Sequence, residues 1–222
     1  MTDNSTGEQL IQELLANPTR FYDGGKTYEL LQVYFGGFPL ATLRPLLADS
    51  ETVVKRAAVW VTSELGDDGR SLIQDVIPLI RDDDRFIQYY ALEIVAVCSV
   101  GEDVDEFVHV VRSMQDHDQV IRVLAMRLVS KAAVSQLKAA TRLLRSNEPS
   151  ELLHERGLSD LLRRDLLDPQ EVLQMIDDRD PLVRKYGAIA AKGLFYKAPE
   201  VMATAASCAD PDIRNFIQQI VR

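Results

Sequence analysis

The sequence predicts an all-α fold built from about six repeated helical hairpins, and three observations support this prediction. First, an acidic turn followed by an aliphatic anchor residue recurs along most of the chain. Second, the positions that flank each anchor keep the same character from copy to copy, as the stacked units of a repeat protein do. Third, the sequence lacks the sustained alternation and β-branched runs that are typical of strands. The anchors are Val54, Ile87, Ile121, Leu153, Val183 and Ile213, with successive separations of 33, 34, 32, 30 and 30 residues.

The first 39 residues lie outside the repeat. Residues 7–16 and 27–35 are expected to form two short helices, joined by the segment NPTRFYDGG. Such a pair would cover the core face of the first repeat, which a terminal repeat otherwise exposes. We therefore expect residues 1–39 to be an N-terminal tail and helical cap, and residues 40–222 to be the repeat array, together forming one continuous domain.

Each repeat is predicted to contain two helices. In the first repeat they span about residues 40–48 and 51–65, and Gly66 is suited to end the second helix. Pro45 and Pro78 occupy equivalent places in the first helices of repeats one and two, which predicts a shared kink. The Asp-Pro pairs at residues 168, 180 and 210 fit an N-cap followed by proline at the first helical position.

Three columns of the repeat each have one physical role. The residue four positions after the anchor is small in five of the six copies, which allows close helix packing. The residue directly after the anchor is mostly cationic, and an acidic or polar residue precedes it by four positions on the same helical face. The packing column is Ala58, Ala91, Ala125, Gly157, Gly187 and Ile217, and the basic column is Lys55, Gln88, Arg122, His154, Arg184 and Arg214.

These hairpins resemble HEAT repeats, most clearly at PLVRKYGAIAAKGL and PDIRNFI. The resemblance covers roughly residues 40–222 and implies a right-handed α-solenoid. It also implies a structural ladder of Asp118, Asp180 and Asp210 with Arg122, Arg184 and Arg214. Repeat four departs from the pattern, since His154 replaces the basic residue and Leu152-Leu153 replaces valine, so its geometry is left open.

Composition limits the function classes. The chain has 46% hydrophobic residues, which is ample for a core, and a net charge of −9, which repels phosphate backbones. Nucleic acid is therefore not the expected partner. Cys98 and Cys208 lie far apart in apolar stretches and are expected to be buried, reduced thiols. The N-terminus has no signal-peptide pattern and no apolar run could span a membrane, so we expect a cytoplasmic protein without a membrane partner.

No motif predicts catalysis, a cofactor or a metal. Gly25-Lys26-Thr27 ends like a phosphate-binding loop, but Arg20 stands where that motif needs its first glycine, so a helix start is the better interpretation. His109, His117 and His154 lack the spacing of a helical metal site, and neither cysteine has a partner two to four residues away. The acidic clusters recur with the repeat, which favours helix caps over paired catalytic carboxylates.

The surface predicted to bind is the inner face of the array, made by the second helix of each repeat. Its columns lie two and six positions after the anchors, and tryptophan, tyrosine and arginine often dominate binding energy. The alternative is that Trp60 and Tyr89 only fill gaps between repeats. The candidate partner-binding residues are Arg56, Trp60, Tyr89, Glu93, Arg127, Glu155 and Lys185.

The sequence therefore favours a non-catalytic protein-binding module. Small acidic HEAT-like proteins resemble some bacterial immunity proteins, which implies an inhibitor of a cognate toxin, and an acidic inhibitor would suit a basic toxin domain. Two alternatives remain: an enzyme similar to HEAT-like DNA glycosylases or bilin lyases, and a passive assembly scaffold. The sequence does not define the identity of the partner or the oligomeric state.

Overall fold

A computed structural model describes residues 4–100, 105–144, 148–163 and 166–221. Over these ranges the chain forms helices and turns and no strand, so the predicted all-α repeat fold of the solenoid type is confirmed. The chain divides into two compact units, Met1–Cys98 (unit 1) and Ser99–Arg222 (unit 2). The predicted boundary between residues 39 and 40 falls inside unit 1, where the third helix packs against the fifth.

Unit 1 holds the N-terminal helices and the first two repeats. Its α-helices are α1 (Asn4–Ala16), α2 (Pro18–Asp23), α3 (Lys26–Phe35), α4 (Leu43–Leu47), α5 (Thr52–Glu64), α6 (Ile73–Val76) and α7 (Arg85–Cys98). Three 3₁₀ segments, Leu40–Thr42, Gly66–Leu72 and Ile77–Arg81, lie between them. The short helix α2 occupies the segment that the sequence analysis treated as a linker.

Unit 2 holds the remaining repeats. Its α-helices are α8 (Phe107–Arg112), α9 (Gln119–Lys131), α10 (Val134–Leu143), α11 (Pro149–Leu162), α12 (Pro169–Ile176), α13 (Pro181–Gly193), α14 (Pro199–Ser207) and α15 (Pro211–Val221), and Ser113–Gln115 is a 3₁₀ segment. None of the helices in the described residues combines the length and the apolar character that a membrane crossing requires.

The first helices of repeats one, two and three are each divided into α-helical and 3₁₀ segments. Pro45 and Pro78 predict this break in repeats one and two. Pro78 sits at the second position of the segment Ile77–Arg81, which continues α6 as a 3₁₀ helix. Proline supplies no amide hydrogen for an α-helical bond at this place. The second helices α5 and α7 are longer and uninterrupted, and Gly66 follows α5 with a positive φ of 55°, which glycine adopts without strain.

The acidic clusters cap helices, as predicted. Asp116 Oδ1 accepts from the amide of Asp118 at 2.8 Å, and Asp118 Oδ1 in turn accepts from the amide of Val120 at 2.8 Å. Equivalent pairs of bonds occur at Asp82 with Asp84 and at Asp178 with Asp180. Each Asp-x-Asp turn thus satisfies amide hydrogens that would otherwise lack partners at the start of a second helix.

The small-residue column lies in the core. All six of its members are buried, and the two glycines have no room for a side chain. A Cβ atom on Gly157 would lie 2.2 Å from the ring of Tyr186, and one on Gly187 would lie 2.8 Å from Cβ of Met175. Repeat four therefore packs directly on α13 despite its divergent sequence.

The predicted ladder is present in part. Arg184 Nη2 donates to Asp210 of the next repeat at 3.0 Å, and its Nη1 donates to the carbonyls of Asp178 and Arg179 in its own turn. Arg122 makes the same two carbonyl bonds, to Asp116 and His117, but its carboxylate partner is Asp212 of repeat six, at 2.6 Å from Nε. Repeat four has Ser150 in the acidic column, so Arg122 has no aspartate there to pair with.

Helix α13 is the centre of unit 2. It packs against α9, α11, α12, α14 and α15, and α9 also packs against α15. Repeats three and six therefore touch, beyond the neighbour contacts of a strictly linear stack. The two cysteines are free: Cys98 is buried as predicted, whereas Cys208 is only partly buried.

Candidate functional site

A row of partly exposed aromatic side chains runs across α2, α5 and α7 of unit 1. We call this row the aromatic face, and its members are half-buried, unlike the fully buried core residues around them. Helices α5 and α7 pack side by side, and α2 packs against α5. The members of the aromatic face are Tyr22, Trp60, Phe86, Tyr89 and Tyr90.

The rings contact one another. The centroids of Phe86 and Tyr90 are 4.6 Å apart, and those of Tyr89 and Tyr90 are 5.4 Å apart. Tyr22 meets Phe86 edge-on at 6.3 Å. These spacings are typical of favourable aromatic pairs, so the rings of α2 and α7 form one connected patch that carries three tyrosine hydroxyl groups. Trp60 lies on α5, which packs beside both helices.

Arg56 fixes this patch to the start of α7. Its Nε donates to the two carboxylate oxygens of Asp84 at 3.1 and 3.2 Å, and its guanidinium lies over the ring of Phe86, 5.9 Å from the centroid. Asp84 also accepts from the amides of Phe86 and Ile87. Hydrogen bonds from Arg56 lower the pKa of Asp84, although burial opposes them. Arg56 therefore holds Phe86 and the cap of α7 in place.

Carboxylates lie at the other end of the aromatic face. Glu64 is exposed and follows Trp60 by one helical turn on α5, and Glu93 follows Tyr89 and Tyr90 on α7. Burial raises the pKa of Tyr90, and the nearby charges of Glu93 and Glu64 raise it further. The patch is thus aromatic along its length and acidic toward the ends of α5 and α7.

The structure places four of the seven predicted residues together. Arg56, Trp60, Tyr89 and Glu93 lie on α5 and α7 of unit 1, on or beside the aromatic face. Arg127 and Glu155 are half-buried on α9 and α11 of unit 2.

Lys185 is a correction to the predicted surface. Its side chain is buried, with Nζ 2.7 Å from the carbonyl oxygen of Met114 and 3.0 Å from Asp212 Oδ2. The register predicted an exposed residue on a one-sided helix, but α13 is surrounded by five other helices. Lys185 therefore serves the core of unit 2 and is not available to a partner.

Sequence reasoning missed Tyr22, Phe86, Tyr90 and Glu64. Phe86 and Tyr90 lie one position before and three positions after the anchor Ile87, whereas the sequence analysis considered only the positions two and six after it. The signal was present, because residues 86, 89, 90 and 93 fall on one face of a helix. Tyr22 gave no such signal, since it lies outside the repeat.

Two other predicted features have plain structural roles. Gly25, with a φ of 73°, precedes α3, and Lys26 pairs with Glu13 of α1, so this segment starts a helix as predicted. A groove of about 950 Å³ lies in unit 2 beside Asp178, Arg184 and Asp210. These three residues already form the caps and the ladder. In the described part of the chain no three histidine, cysteine, aspartate or glutamate side chains are grouped to hold a metal ion.

Among known proteins, the chain is similar to solved structures of engineered proteins at low sequence identity. No protein-family model and no curated protein matches the chain. The chain is similar to an engineered protein, target OR329 of the Northeast Structural Genomics Consortium, with 15% identity, a TM-score of 0.43 and coverage of 81% of this chain and 94% of that one. It is also similar to engineered target OR497, with 16% identity, a TM-score of 0.44 and coverage of 87% of this chain and 59% of that one. Neither similarity assigns a role to any residue of the aromatic face.

Proposed function

We propose that this chain is a HEAT-like protein-binding module whose aromatic face takes up a basic region of another protein. The observation that carries the proposal is the group of five half-buried aromatic side chains on α2, α5 and α7, four of which are in ring contact. Large aromatic residues at a surface bury much area at little cost in side-chain entropy, and they dominate many protein interfaces. Each of these side chains is only half-buried, so part of each ring remains accessible to a partner.

The charge of unit 1 supports a basic partner. Residues 1–98 contain 8 basic and 15 acidic residues, a net charge of −7, whereas residues 99–222 contain 17 basic and 19 acidic residues, a net charge of −2. Most of the negative charge of the chain therefore belongs to the unit that holds the aromatic face. Such a field attracts a basic surface, raises the association rate and repels acidic competitors.

A narrower form of the proposal is an immunity-type inhibitor that acts in the bacterial cytoplasm on a cognate toxin. The acidic unit 1 supports this form, because toxin domains that bind nucleic acid present basic surfaces. Inhibition of a toxin encoded beside this gene, measured with the purified pair, tests it. If this chain neither binds nor inhibits any neighbouring gene product, the immunity-type proposal is wrong and only the general binding proposal remains.

The double substitution Trp60→Ala with Tyr89→Ala tests the aromatic face itself. We expect affinity for the co-purifying partner to fall at least about 100-fold, since each aromatic hot spot contributes roughly 2 kcal/mol. Calorimetric titration measures the affinity, and circular dichroism checks that the helices persist.

The matched control is Tyr28→Ala with Phe35→Ala. Both residues lie on α3 of the same unit and are 61% and 56% exposed, but neither belongs to the aromatic face. We expect this pair to leave the affinity unchanged within about threefold. An equal loss in both double variants would contradict the proposal, and a loss of helix in the first would place Trp60 and Tyr89 in the core.

A further inference from the structure

Helices α5 and α7, which carry most of the aromatic face, run in the same direction. Near their starts, Arg56 of α5 bonds to Asp84, the residue that precedes α7. At their ends, the thiol of Cys98, the last residue of α7, lies 3.5 Å from the carbonyl oxygen of Gly66, which comes two residues after α5. Because the starts meet and the ends meet, the two helices lie parallel and side by side.

Flat side chains follow one another along this helix pair. The guanidinium of Arg56 lies 5.9 Å from the centroid of the Phe86 ring. One helical turn further along are Trp60 on α5 and Tyr90 on α7. The rings of Phe86 and Tyr90 are 4.6 Å apart, and Tyr22 extends the row beyond Phe86 at 6.3 Å. The flat groups therefore form a strip, which is the shape of surface that an extended segment contacts.

Four donor groups on this strip are unpaired. Over the ranges that the structure describes, no hydrogen bond is formed by Nη1 of Arg56, by the indole nitrogen of Trp60 or by the hydroxyls of Tyr22 and Tyr90. All four side chains are partly exposed, so a partner can reach these groups. The first two groups can only donate a hydrogen bond. The strip therefore favours a partner that presents acceptors beside apolar surface.

A proline-rich segment in the polyproline II conformation meets both requirements. Its carbonyl oxygens have no partner within the segment, whereas those of a helix are already bonded to amides of the same helix. Proline has no amide hydrogen that would be left unpaired against the rings, and its own ring packs well on aromatic side chains. The conformation is preformed, so binding costs little chain entropy.

The charge of unit 1 favours cations within such a segment. Residues 1–98 contain 8 basic and 15 acidic residues, a net charge of −7. This field attracts basic side chains that stand between the prolines and repels acidic segments of the same shape. The aromatic face and the charge therefore select for the same kind of segment.

We propose that the aromatic face binds a proline-rich, basic segment of the partner in the polyproline II conformation. The prolines pack on the rings, and the carbonyl oxygens of the segment accept from the four unpaired donors. This inference rests on the proposed function, because it names the kind of basic region that the aromatic face takes up. A basic helix, whose carbonyl groups are already bonded, is the alternative that the experiment separates from it.

The emission of Trp60 provides the measurement, because this residue is the single tryptophan of the chain and lies on the aromatic face. It can follow titration of the whole chain with a peptide of repeated arginine-proline-proline units. A second peptide with alanine in place of proline keeps the charge and favours a helix, and a third with glutamate in place of arginine keeps the prolines. We expect the first peptide to bind at least about tenfold more tightly than the second, and the third to give no saturable change. Equal or tighter binding of the alanine peptide would overturn the inference.

The paired substitution Tyr22→Phe with Tyr90→Phe removes two of the unpaired donors and keeps both rings. Its matched control is Tyr28→Phe with Tyr196→Phe, because these tyrosines are 61% and 94% exposed and lie outside the aromatic face. We expect the first pair to weaken the proline-rich basic peptide at least about fivefold, since two hydrogen bonds are lost, and the control pair less than about twofold. Equal weakening by the two pairs would mean that the carbonyl oxygens of the peptide do not bond to the strip, which contradicts the inference.

This outcome is separable from a failure of the proposed function. If Trp60→Ala with Tyr89→Ala still releases the partner while the proline and alanine peptides bind alike, the aromatic face remains an interface and only the kind of segment is wrong. If the partner stays bound to that variant, the proposed function itself is wrong.

Discussion

His154 occupies the column that holds a cation in four of the other five repeats, yet its environment keeps it neutral. Its ring is buried, with Nδ1 2.9 Å from the hydroxyl of Tyr186 and Nε2 3.2 Å from Oε1 of Gln115. With Oε1 as acceptor, Nε2 carries the hydrogen and Nδ1 accepts from Tyr186. Burial lowers the pKa of His154 to about 4. Divergence at this residue thus replaces an ion pair with a neutral hydrogen-bonded pair.

We predict that the stability of unit 2 depends on pH through His154. The unfolded chain binds a proton on this imidazole near pH 6.5, whereas the folded unit binds it only near pH 4. The unfolded state therefore holds more protons between these values, and the free energy of unfolding falls as the pH is lowered through this window. Urea denaturation followed by circular dichroism should show a loss of about 2 kcal/mol between pH 7 and pH 5.

Two substitutions show whether His154 is responsible. His154→Gln cannot titrate and should flatten the dependence, whereas His117→Gln should keep it, because the His117 side chain is 89% exposed. A steep pH dependence that survives in His154→Gln would assign the effect to another group. The carboxyl groups of Asp84, Glu151 and Asp212 have lowered pKa values and so lose their contribution only in more acidic solution.

Some residue roles could be predicted from the sequence, and others could not. The capping aspartates and the small-residue column followed from spacing alone, because a helix start and a close helix contact are local requirements. The role of Lys185 did not, since its side chain bonds to Met114 and Asp212, and neither contact is signalled by the repeat spacing. Arg56 lies beside the aromatic face and pairs with Asp84, a contact between repeats that the sequence analysis did not predict.

At the scale of elements, α15 is joined to α9 by a buried cluster of charges. Asp212 accepts from Arg122 at 2.6 and 3.0 Å, from Lys185 at 3.0 Å and from Gln119 at 3.2 Å. Burial raises the pKa of Asp212, but the hydrogen bonds from Arg122 and Lys185 outweigh it and lower the pKa below its usual range. This cluster brings the last repeat against repeat three.

We predict that Asp212→Asn destabilises unit 2 by about 3–5 kcal/mol, because it leaves the buried ammonium of Lys185 without a counter-charge. The matched control is Asp105→Asn, whose partner Arg142 is about half exposed, and it should cost less than about 1 kcal/mol. Urea denaturation followed by circular dichroism measures both.

Hydrogen exchange locates the effect. Faster exchange in Asp212→Asn should appear in α15 and α9, while the emission of Trp60, which lies in unit 1, should keep its own unfolding curve. If Asp212→Asn and Asp105→Asn lower the free energy of unfolding equally, the buried cluster stabilises unit 2 no more than a surface ion pair does.

The helices themselves were largely predictable. The expected second helix of repeat one, residues 51–65, is Thr52–Glu64, and the two expected N-terminal helices are α1 and α3 with small shifts at their ends. The packing of α9 against α15 was not predictable, because it joins repeats three and six, which are not neighbours along the chain.

At the scale of the whole molecule, negative charge is concentrated in unit 1, and the aromatic face lies there as well. The coincidence of charge and aromatic surface supports binding of a basic protein, which neither feature would support as strongly alone. The net charge of −9 follows from the composition. The distribution of this charge between units 1 and 2 does not, because the boundary at residue 98 depends on which helices pack together.

Site-specific photocrosslinking tests the central proposal most directly. Tyr89→p-benzoylphenylalanine places a crosslinker on the aromatic face, and Tyr28→p-benzoylphenylalanine places one on the exposed side of α3 in the same unit. After irradiation of the complex with the co-purifying partner, we expect the first to crosslink to a basic segment of that partner and the second to give no crosslink. Crosslinking of the partner from position 28 but not from position 89 would contradict the proposal.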